Sequence, residues 1–125
     1  MNDPIPVPCP LVLSQPETAV LAETFKLLGD TTRLSILLCC LNGSRSVGQI
    51  AEALDQSQSL ISHHLRLLRS ARLVRGERQS RQVFYSLSDA HVRDMLHDMA
   101  HHIAEERPPA PDQPLADAPN AALSP

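Results

Sequence analysis

The sequence predicts a single, mainly α-helical domain completed by one β-hairpin. Its 125 residues are enough for one domain and argue against two. Hydrophobic residues make up 42% of the chain, which is sufficient for a core, but only three residues are aromatic, whereas β-sandwiches and barrels usually contain more. Apolar residues recur at the three- and four-residue spacing of helices along most of the middle of the chain, and they alternate as in a strand around Tyr85.

Proline separates the folded part from both ends. Residues 1–16 contain five prolines, which a regular helix does not accommodate, and residues 107–125 contain six among Ala, Asp and Gln. The second of these segments also has too little apolar mass to fold. We therefore expect an extended Pro-rich arm over residues 1–16, a folded domain over 17–106 and a disordered Pro-rich tail over 107–125.

Five helices and two strands are predicted between the proline-rich ends. The first helix stops at Gly29, and each later helix follows a short polar residue that can accept a backbone hydrogen bond at a helix start. Gln79-Ser80-Arg81 joins the strands, although it lacks the Gly or Asn that favours a tight turn. In chain order, we expect helices over residues 17–28, 31–41, 47–54, 58–71 and 90–106, and strands over 73–78 and 82–87.

Two short helices joined by three or four residues and followed by a hairpin are typical of a winged helix-turn-helix. In the second of these helices, the side chains expected on the apolar face are Leu60, Ile61, Leu65 and Leu68. The opposite face carries Ser59, Ser62, His63 and Arg66. Hydroxyl, imidazole and guanidinium groups suit the floor of the DNA major groove. His64 falls within the apolar arc, so we expect it to pack in the core.

Positive charge is concentrated in the segment that contains this helix and the hairpin. Residues 57–85 contain six arginines and one acid, a balance of +5, whereas the rest of the chain carries −8. Such segregation is typical of a polyanion-binding surface, with a solvated basic face as the alternative. Arginines on the hairpin would reach the phosphates that flank the groove. The candidate DNA contacts are Ser57, Gln58, Ser59, Ser62, His63, Arg66, Arg75, Arg78 and Arg81.

The last predicted helix combines an apolar stripe with possible metal ligands on its flank. The stripe consists of Val92, Met95, Leu96, Met99 and Ile103. His91, His102 and Glu105 lie together on one flank, and Asp89 stands at the first turn. Because His91 and His102 are about 16 Å apart along a helix, one chain cannot bring both to one metal ion at zinc–nitrogen distances of about 2 Å.

A second copy of the chain would solve this geometric problem. Two antiparallel helices packed through the stripe would place Asp89 and His91 of one chain beside the partner's His102 and Glu105, creating two equivalent four-ligand sites. Two imidazoles and two carboxylates suit Zn(II) or Co(II). The alternative is a set of polar groups that flank a dimer seam without binding metal.

The order and spacing of several segments resemble the ArsR/SmtB family of metal-sensing repressors. The likeness runs from about residue 19 to 106 and includes residues 25–34, 49–51, 62–68, 73–74 and 83–85. The resemblance implies a winged-helix homodimer that binds operator DNA without inducer and dissociates when inducer binds.

The family's zinc sensors carry a fifth-helix metal site to which one pattern here is similar. The pattern is Asp-x-His, ten residues, then His-x-x-Glu. The resemblance therefore implies Asp89, His91, His102 and Glu105 as ligands. The third-helix cysteines of other members are absent from residues 44–48, which argues against a cadmium or lead sensor of that type.

Other sensors and other functions stay open at this point. Extra ligands from His97, His101 or the arm would favour Ni(II), and Co(II) fits the same donors as Zn(II). Cys9, Cys39 and Cys40 would instead suit a sensor of arsenite or redox state. The positive segment argues against a zinc-storage protein without a DNA role. The lack of a phosphate loop or nucleophile–base arrangement argues against an enzyme.

Three features favour the cytoplasm. The cysteine count is odd, no secretory signal opens the chain, and no apolar run is long enough for a membrane span. The residues together with the family resemblance predict a cytoplasmic, homodimeric winged-helix protein without a membrane partner. The resemblance further implies a repressor of operator DNA with Zn(II) as the inducer.

Overall fold

The computed structural model describes residues 12–108, so most of the expected Pro-rich arm and nearly all of the expected tail lie outside the described residues. The described part contains five helices and one antiparallel sheet of three strands in the order β1-β3-β2. The elements are α1 (Gln15–Leu28), α2 (Thr31–Cys39), β1 (Arg45–Ser46), α3 (Val47–Leu54), α4 (Gln58–Ser70), β2 (Val74–Gln79), β3 (Gln82–Leu87) and α5 (Ala90–Glu105). The predicted class, mainly helical with a β-hairpin wing, is confirmed.

α1 begins two residues before its predicted start because Ser14 caps it. The Ser14 hydroxyl accepts a hydrogen bond from the Glu17 N–H at 3.2 Å, and the Glu17 carboxylate accepts one from the Ser14 N–H at 2.9 Å. Pro16 is tolerated in the first turn, where a backbone N–H has no helical partner in any case. The prediction that residues 15 and 16 belong to the extended arm is therefore wrong.

Short polar residues cap the other helices as predicted. Four side chains each accept a hydrogen bond from the backbone N–H three residues further on; they are Asp30, Ser46, Ser57 and Asp89. α2 ends at Cys39 instead of residue 41 because the chain tightens there. The Cys40 N–H donates to the Leu37 carbonyl at 3.0 Å, a bond one residue shorter than that of an α-helix.

α2, α3 and α4 form the core of the helix-turn-helix. Its most deeply buried side chains are Ile36, Leu37, Ile50, Ile61, Leu65 and Leu68. α3 ends at Leu54, and the left-handed backbone of its C-cap Asp55 (φ 55°) turns the chain towards α4. His64 is only 8% exposed, which confirms its predicted place in the core. Leu60 is exposed, so its predicted inward position is wrong: it lies in the first turn of α4, before the buried part of the helix begins at Ile61.

The wing is the hairpin of β2 and β3. These strands pair along their full lengths, so only Ser80 and Arg81 make the turn, and β2 runs one residue later than predicted. Ser80 has a φ of 61°, a conformation that normally favours glycine. β1, which the sequence did not predict, pairs with Phe84 and Tyr85 of β3. Two residues are too few to produce a recognisable periodicity.

The apolar stripe of α5 is divided between two environments. Leu96 is buried, and Val92 and Met95 pack against the same core. Met99 is 54% exposed and Ile103 is 67% exposed. The chain's own core therefore covers Leu96 and part of Val92 and Met95, whereas Met99 and Ile103 stay uncovered. A dimer seam through the stripe stays a prediction.

α1 also leaves apolar surface uncovered in a single chain. Its only buried residue is Leu28, while Val20, Leu21 and Phe25 are exposed. α1 makes its main helix contacts with α2, near the α1 C-terminus. No helix within residues 12–108 has the combination of length and hydropathy that crossing a membrane requires.

Candidate DNA interface and metal ligands

The first turns of α4 present a polar surface. Ser59, His63 and Arg66 are exposed, and Ser62 is half-buried between them and the core. The Ser57 hydroxyl accepts a hydrogen bond from the Leu60 N–H at 3.1 Å, which fixes the start of the helix. The Gln58 side chain lies over the start of α3. Its amide nitrogen is close enough to Gly48 to be 3.6 Å from a Cβ atom placed on that glycine. These residues form the exposed end of a helix of the length that enters a major groove.

Arg33 connects the recognition helix α4 to the end of α1. Its Nε–H donates to the Leu27 carbonyl at 2.8 Å, and its guanidinium nitrogen lies 3.5 Å from His64 Nδ1. The Arg33 N–H also donates to the Asp30 carboxylate at 3.0 Å. The sequence gives no sign of this role of Arg33, since hydrophobic periodicity carries no signal for a polar link between helices.

Burial lowers the pKa of His64, and the nearby Arg33 and His63 add to the lowering while Asp30 opposes it. The neutral imidazole therefore accepts a hydrogen bond from Arg33 through Nδ1, which places its proton on Nε2. The backbone N–H of Arg33 donates a hydrogen bond to the Asp30 carboxylate. This bond holds the pKa of the Asp30 carboxyl below its ordinary value. A neutral histidine in the core thus joins α4 to the first turn of α2, where Arg33 also holds the end of α1.

The wing arginines divide into two groups. Arg78 and Arg81 are exposed at the tip of the hairpin. Arg75 is three residues before Arg78 on β2, so the two side chains leave opposite faces of the strand. Arg75 lines a recess of about 400 Å³ at the base of the wing, together with Ser86 and Arg93. The hairpin therefore places Arg78 and Arg81 at its tip and Arg75 nearer its base.

The four predicted metal ligands occupy the two ends of α5. Asp89 caps the helix by accepting the Val92 N–H at 3.0 Å through one carboxylate oxygen, which leaves the other oxygen available. His91, His102 and Glu105 are exposed. No group of three or more His, Cys, Asp or Glu side chains in residues 12–108 converges tightly enough for a metal ion.

The donor set nevertheless suits a divalent metal. Each end of α5 offers one imidazole and one carboxylate, and neither end is buried within its own chain. Two such ends together supply the four nitrogen and oxygen ligands that Zn(II) accepts. The residues therefore fit a metal if a second chain provides the other half of the site.

The cysteines lack the features of a reactive thiol. Burial raises the pKa of Cys40 to about 11, with Cys39 adding to the shift and Arg45 opposing it. Burial also raises the pKa of Cys39. Both side chains are therefore thiols at neutral pH, whereas arsenite binding and oxidation proceed through thiolates. Cys9, the third member of the proposed set, lies outside the described residues.

Comparison with known proteins gives the family. Residues 30–75 match the profile of the bacterial regulatory proteins of the arsR family. The transcriptional repressor SmtB homolog of Synechocystis is 38% identical over 96 residues, which cover 77% of this chain and 73% of that protein. The chain belongs to the ArsR family. Its named relatives are regulators of transcription, so at the level of the family the protein is a transcriptional regulator.

Other ArsR-family proteins extend the match to the fold. NmtR of Mycobacterium tuberculosis, a helix-turn-helix transcriptional regulator, is 40% identical over 90 residues, covering 72% of this chain and 75% of that protein. The homodimeric winged helix-turn-helix domain Mb0332 of Mycobacterium bovis, described as a possible ArsR-family regulator, aligns with a TM-score of 0.65 and 27% identity over 75% of this chain and 89% of that one. The profile match covers the helix-turn-helix but ends before α5.

Proposed function

We propose that this ArsR-family protein is a homodimeric repressor that binds operator DNA without metal and is released by Zn(II) held between two α5 helices. One observation carries the proposal: α5 has an imidazole and a carboxylate at each end, and the apolar surface beside its C-terminal end is uncovered. A repressor acts where the chromosome is, so we place the protein in the bacterial cytoplasm.

DNA binding rests on α4 and the tip of the wing. The exposed hydroxyl, imidazole and guanidinium groups of α4 are of the kind that contact base edges in the major groove. Arg78 and Arg81 extend the positive surface beyond the helix, where phosphates flank the groove. Arg75 stays a proposed contact, although its position at the base of the wing suits a phosphate further from the recognition helix.

A second copy of the chain is the proposed cover for the apolar surface. Phe25 of α1 is 52% exposed, and Met99 and Ile103 border an apolar groove of about 670 Å³ that also contains Leu34 and Leu38. Two-fold symmetry pairs the same patch on both chains, so the uncovered residues would meet residues of the same kind. The homodimeric Mb0332 domain has this fold, which supports the same assembly here.

The metal ligands then lie across the seam. Asp89 and His91 of one chain would stand beside the partner's His102 and Glu105 in an antiparallel pair of α5 helices. Zn(II), when bound, supplies a positive centre that accepts all four donors and joins the chains. Co(II) suits the same ligands, and Ni(II) would need further donors.

Coupling to DNA follows from how α5 is attached. Val92, Met95 and Leu96 fix the N-terminal half of α5 to its own core, against which α4 also packs. A change in the relative position of the two α5 helices therefore moves each recognition helix with its whole domain. Half-sites one DNA turn apart tolerate little change in the spacing of two recognition helices. Metal affinity and DNA affinity are then linked by one coupling free energy.

A heterodimer of two variants tests the shared site. One chain carries Asp89→Asn/His91→Ala, in which asparagine preserves the helix cap, and the other carries His102→Ala/Glu105→Ala. All four changes meet in one site, and the other site keeps all four ligands. We expect one tightly bound Zn(II) per heterodimer and none in either variant homodimer, measured by competition with a chelating dye.

The effect of the metal site on DNA binding is measured by a gel-shift titration with Zn(II), in which the release of operator DNA is followed. We expect the His102→Ala homodimer to bind operator without metal and to stay bound when Zn(II) is added. Tight zinc binding by both variant homodimers would show that each chain holds metal by itself, and it would contradict the cross-dimer site.

Base contacts by α4 are tested separately from the metal. Ser62→Ala and His63→Ala should each weaken binding to operator more than binding to random DNA, because base contacts specify sequence and phosphate contacts do not. A residue that reads a base edge should cost about 1–3 kcal/mol of discrimination. Equal losses on both DNAs would assign these side chains to the phosphate backbone.

A further inference from the structure

The outer face of α5 carries a pair of histidines that the proposed inducer site does not use. The imidazole rings of His97 and His101 stand one helical turn apart, with their centroids separated by 4.4 Å and their planes inclined at 43°. Both side chains are exposed. They lie at about 140° and 180° around the helix from Val92, whereas the exposed Met99 and Ile103 lie near 0°. The pair therefore faces away from the proposed seam.

The separation of the rings is short enough for both to reach one metal ion. An ion about 2.0–2.1 Å from one nitrogen of each imidazole holds the ring centroids about 4.5–5 Å apart. The observed separation is 4.4 Å. Imidazole suits Cu(II), Ni(II) and zinc, and Cu(II) stands highest in the usual order of affinity for nitrogen ligands.

A carboxylate lies near one of the two rings. The Asp98 Oδ1 atom lies 3.6 Å from Nδ1 of His97, a separation longer than a hydrogen bond. The negative charge of this carboxylate favours a cation bound beside the ring.

We propose that His97 and His101 form a second metal site on each chain, which binds Cu(II) or Ni(II) with water completing the coordination. Cu(II) binds more tightly than Ni(II), following the usual order for nitrogen ligands. Both ligands belong to one chain, so a metal ion here joins no two chains and exerts no force across the seam. Occupancy of this site therefore leaves operator DNA bound, a consequence that rests on the proposed function, whereas the site itself does not.

The test uses the full chain with His91→Ala/His102→Ala as the background and Cu(II) as the probe. This background removes one imidazole from each half of the proposed inducer site and keeps His97 and His101. We expect one Cu(II) per chain and an electron paramagnetic resonance spectrum with coupling to imidazole nitrogens. Adding His101→Ala should weaken Cu(II) binding roughly 10-fold or more, because the second imidazole of a chelate binds at a high effective concentration.

A respaced variant provides the matched control. Asp94→His/His97→Ala, made in the same background, keeps the number of histidines on this face but separates them by about 10 Å along the helix. It should bind Cu(II) as weakly as the His101→Ala variant. Binding as tight as the background in either variant, or no Cu(II) bound by the background, would overturn the site. Circular dichroism confirms that each variant folds. Failure of Zn(II) to release DNA from the unmodified protein would reject the proposed function and leave this copper measurement unaffected.

Discussion

At the scale of single residues, the contact between His64 and Arg33 is the most informative feature of the core. All six histidines lie in the described part of the chain, and only His64 is buried. Its Nδ1 faces Arg33, which also holds the carbonyl of Leu27 at the end of α1. The helix proposed to read DNA is thus tied to α1, part of the proposed dimer surface, through Arg33 and a histidine whose pKa is lowered.

The lowered pKa of His64 makes the free energy of unfolding depend on pH. In the unfolded chain the imidazole takes up a proton near its ordinary pKa of about 6.5, whereas the folded protein resists protonation until lower pH. The unfolded state therefore binds more protons in that window, and stability falls as the pH falls below about 6.5. We expect urea denaturation midpoints to drop from pH 7.5 to pH 5.5 and His64→Asn to reduce this drop.

A variant of an exposed histidine separates the contribution of His64 to this pH dependence from the contribution that any histidine would make. His97→Asn removes an exposed histidine and shows how much of the slope any histidine would contribute. Asparagine at position 64 keeps a hydrogen-bond acceptor for Arg33, so the folded structure should survive the change. A pH dependence that is the same in His64→Asn and in the unmodified protein would exclude His64 as its source.

At the scale of elements, the wing and α4 make different contributions to DNA binding. Arg78 and Arg81 stand at the tip of the hairpin and have no part in the core. Replacing either with alanine should weaken binding to operator and random DNA alike. If each contacts one phosphate, the slope of log affinity against log salt should shrink by about 0.9 per arginine. Fluorescence anisotropy at several salt concentrations measures this slope. An unchanged slope would show that these arginines do not contact DNA.

The turn of the wing contains a residue whose backbone strain can be relieved by substitution. Ser80 has a positive φ and Arg81 does not, the pattern of a turn whose first central residue is usually glycine. Ser80→Gly should raise the free energy of unfolding by about 0.5–1 kcal/mol. Ser86→Gly, at a paired position of β3, should lower the free energy of unfolding by a similar amount, since glycine weakens strands. Urea denaturation measures both, and a lower stability in Ser80→Gly would contradict the assignment of strain.

Local signals explain which elements the sequence predicted well. The caps at Asp30, Ser46, Ser57 and Asp89 need only a few neighbouring residues, so those helix starts were found within one residue. The start of α1 was not predicted, because the five prolines of residues 1–16 favour an extended arm although Ser14 is a suitable helix cap. Burial was harder to predict: the periodicity of α4 and α5 gives the direction of a side chain but not whether another element covers it.

At the scale of the whole molecule, the apolar surface on α1 and on the end of α5 forms the proposed dimer seam. Phe25→Glu should leave the folded chain intact, because this side chain is half exposed in a single chain. In a dimer seam the same carboxylate would be buried without a partner. We expect a monomer by analytical ultracentrifugation and roughly 10-fold or greater loss of operator affinity, since two linked half-sites bind cooperatively.

A neutral change beside Phe25 is the control for that experiment. Lys26→Gln changes an exposed residue about 100° further around α1 and should leave the dimer unchanged. A dimeric Phe25→Glu protein would contradict a seam that includes α1. The sequence predicts which side chains lie at the ends of α5. It does not predict which residues could pair two chains, because that depends on which apolar surfaces the core leaves exposed.

The split of α5 between a fixed half and a free half also bears on how selectivity for an inducer changes during evolution. His102 and Glu105 stand where no core residue depends on them, so substitutions there affect folding little, typically within about 0.5 kcal/mol for exposed positions. A lineage can therefore exchange the proposed ligands at this end of the helix without endangering the DNA-binding domain. The same freedom makes positions 102, 105 and 106 a natural target for a library that selects new metal specificities and leaves Met99 and Ile103 of the proposed seam unchanged.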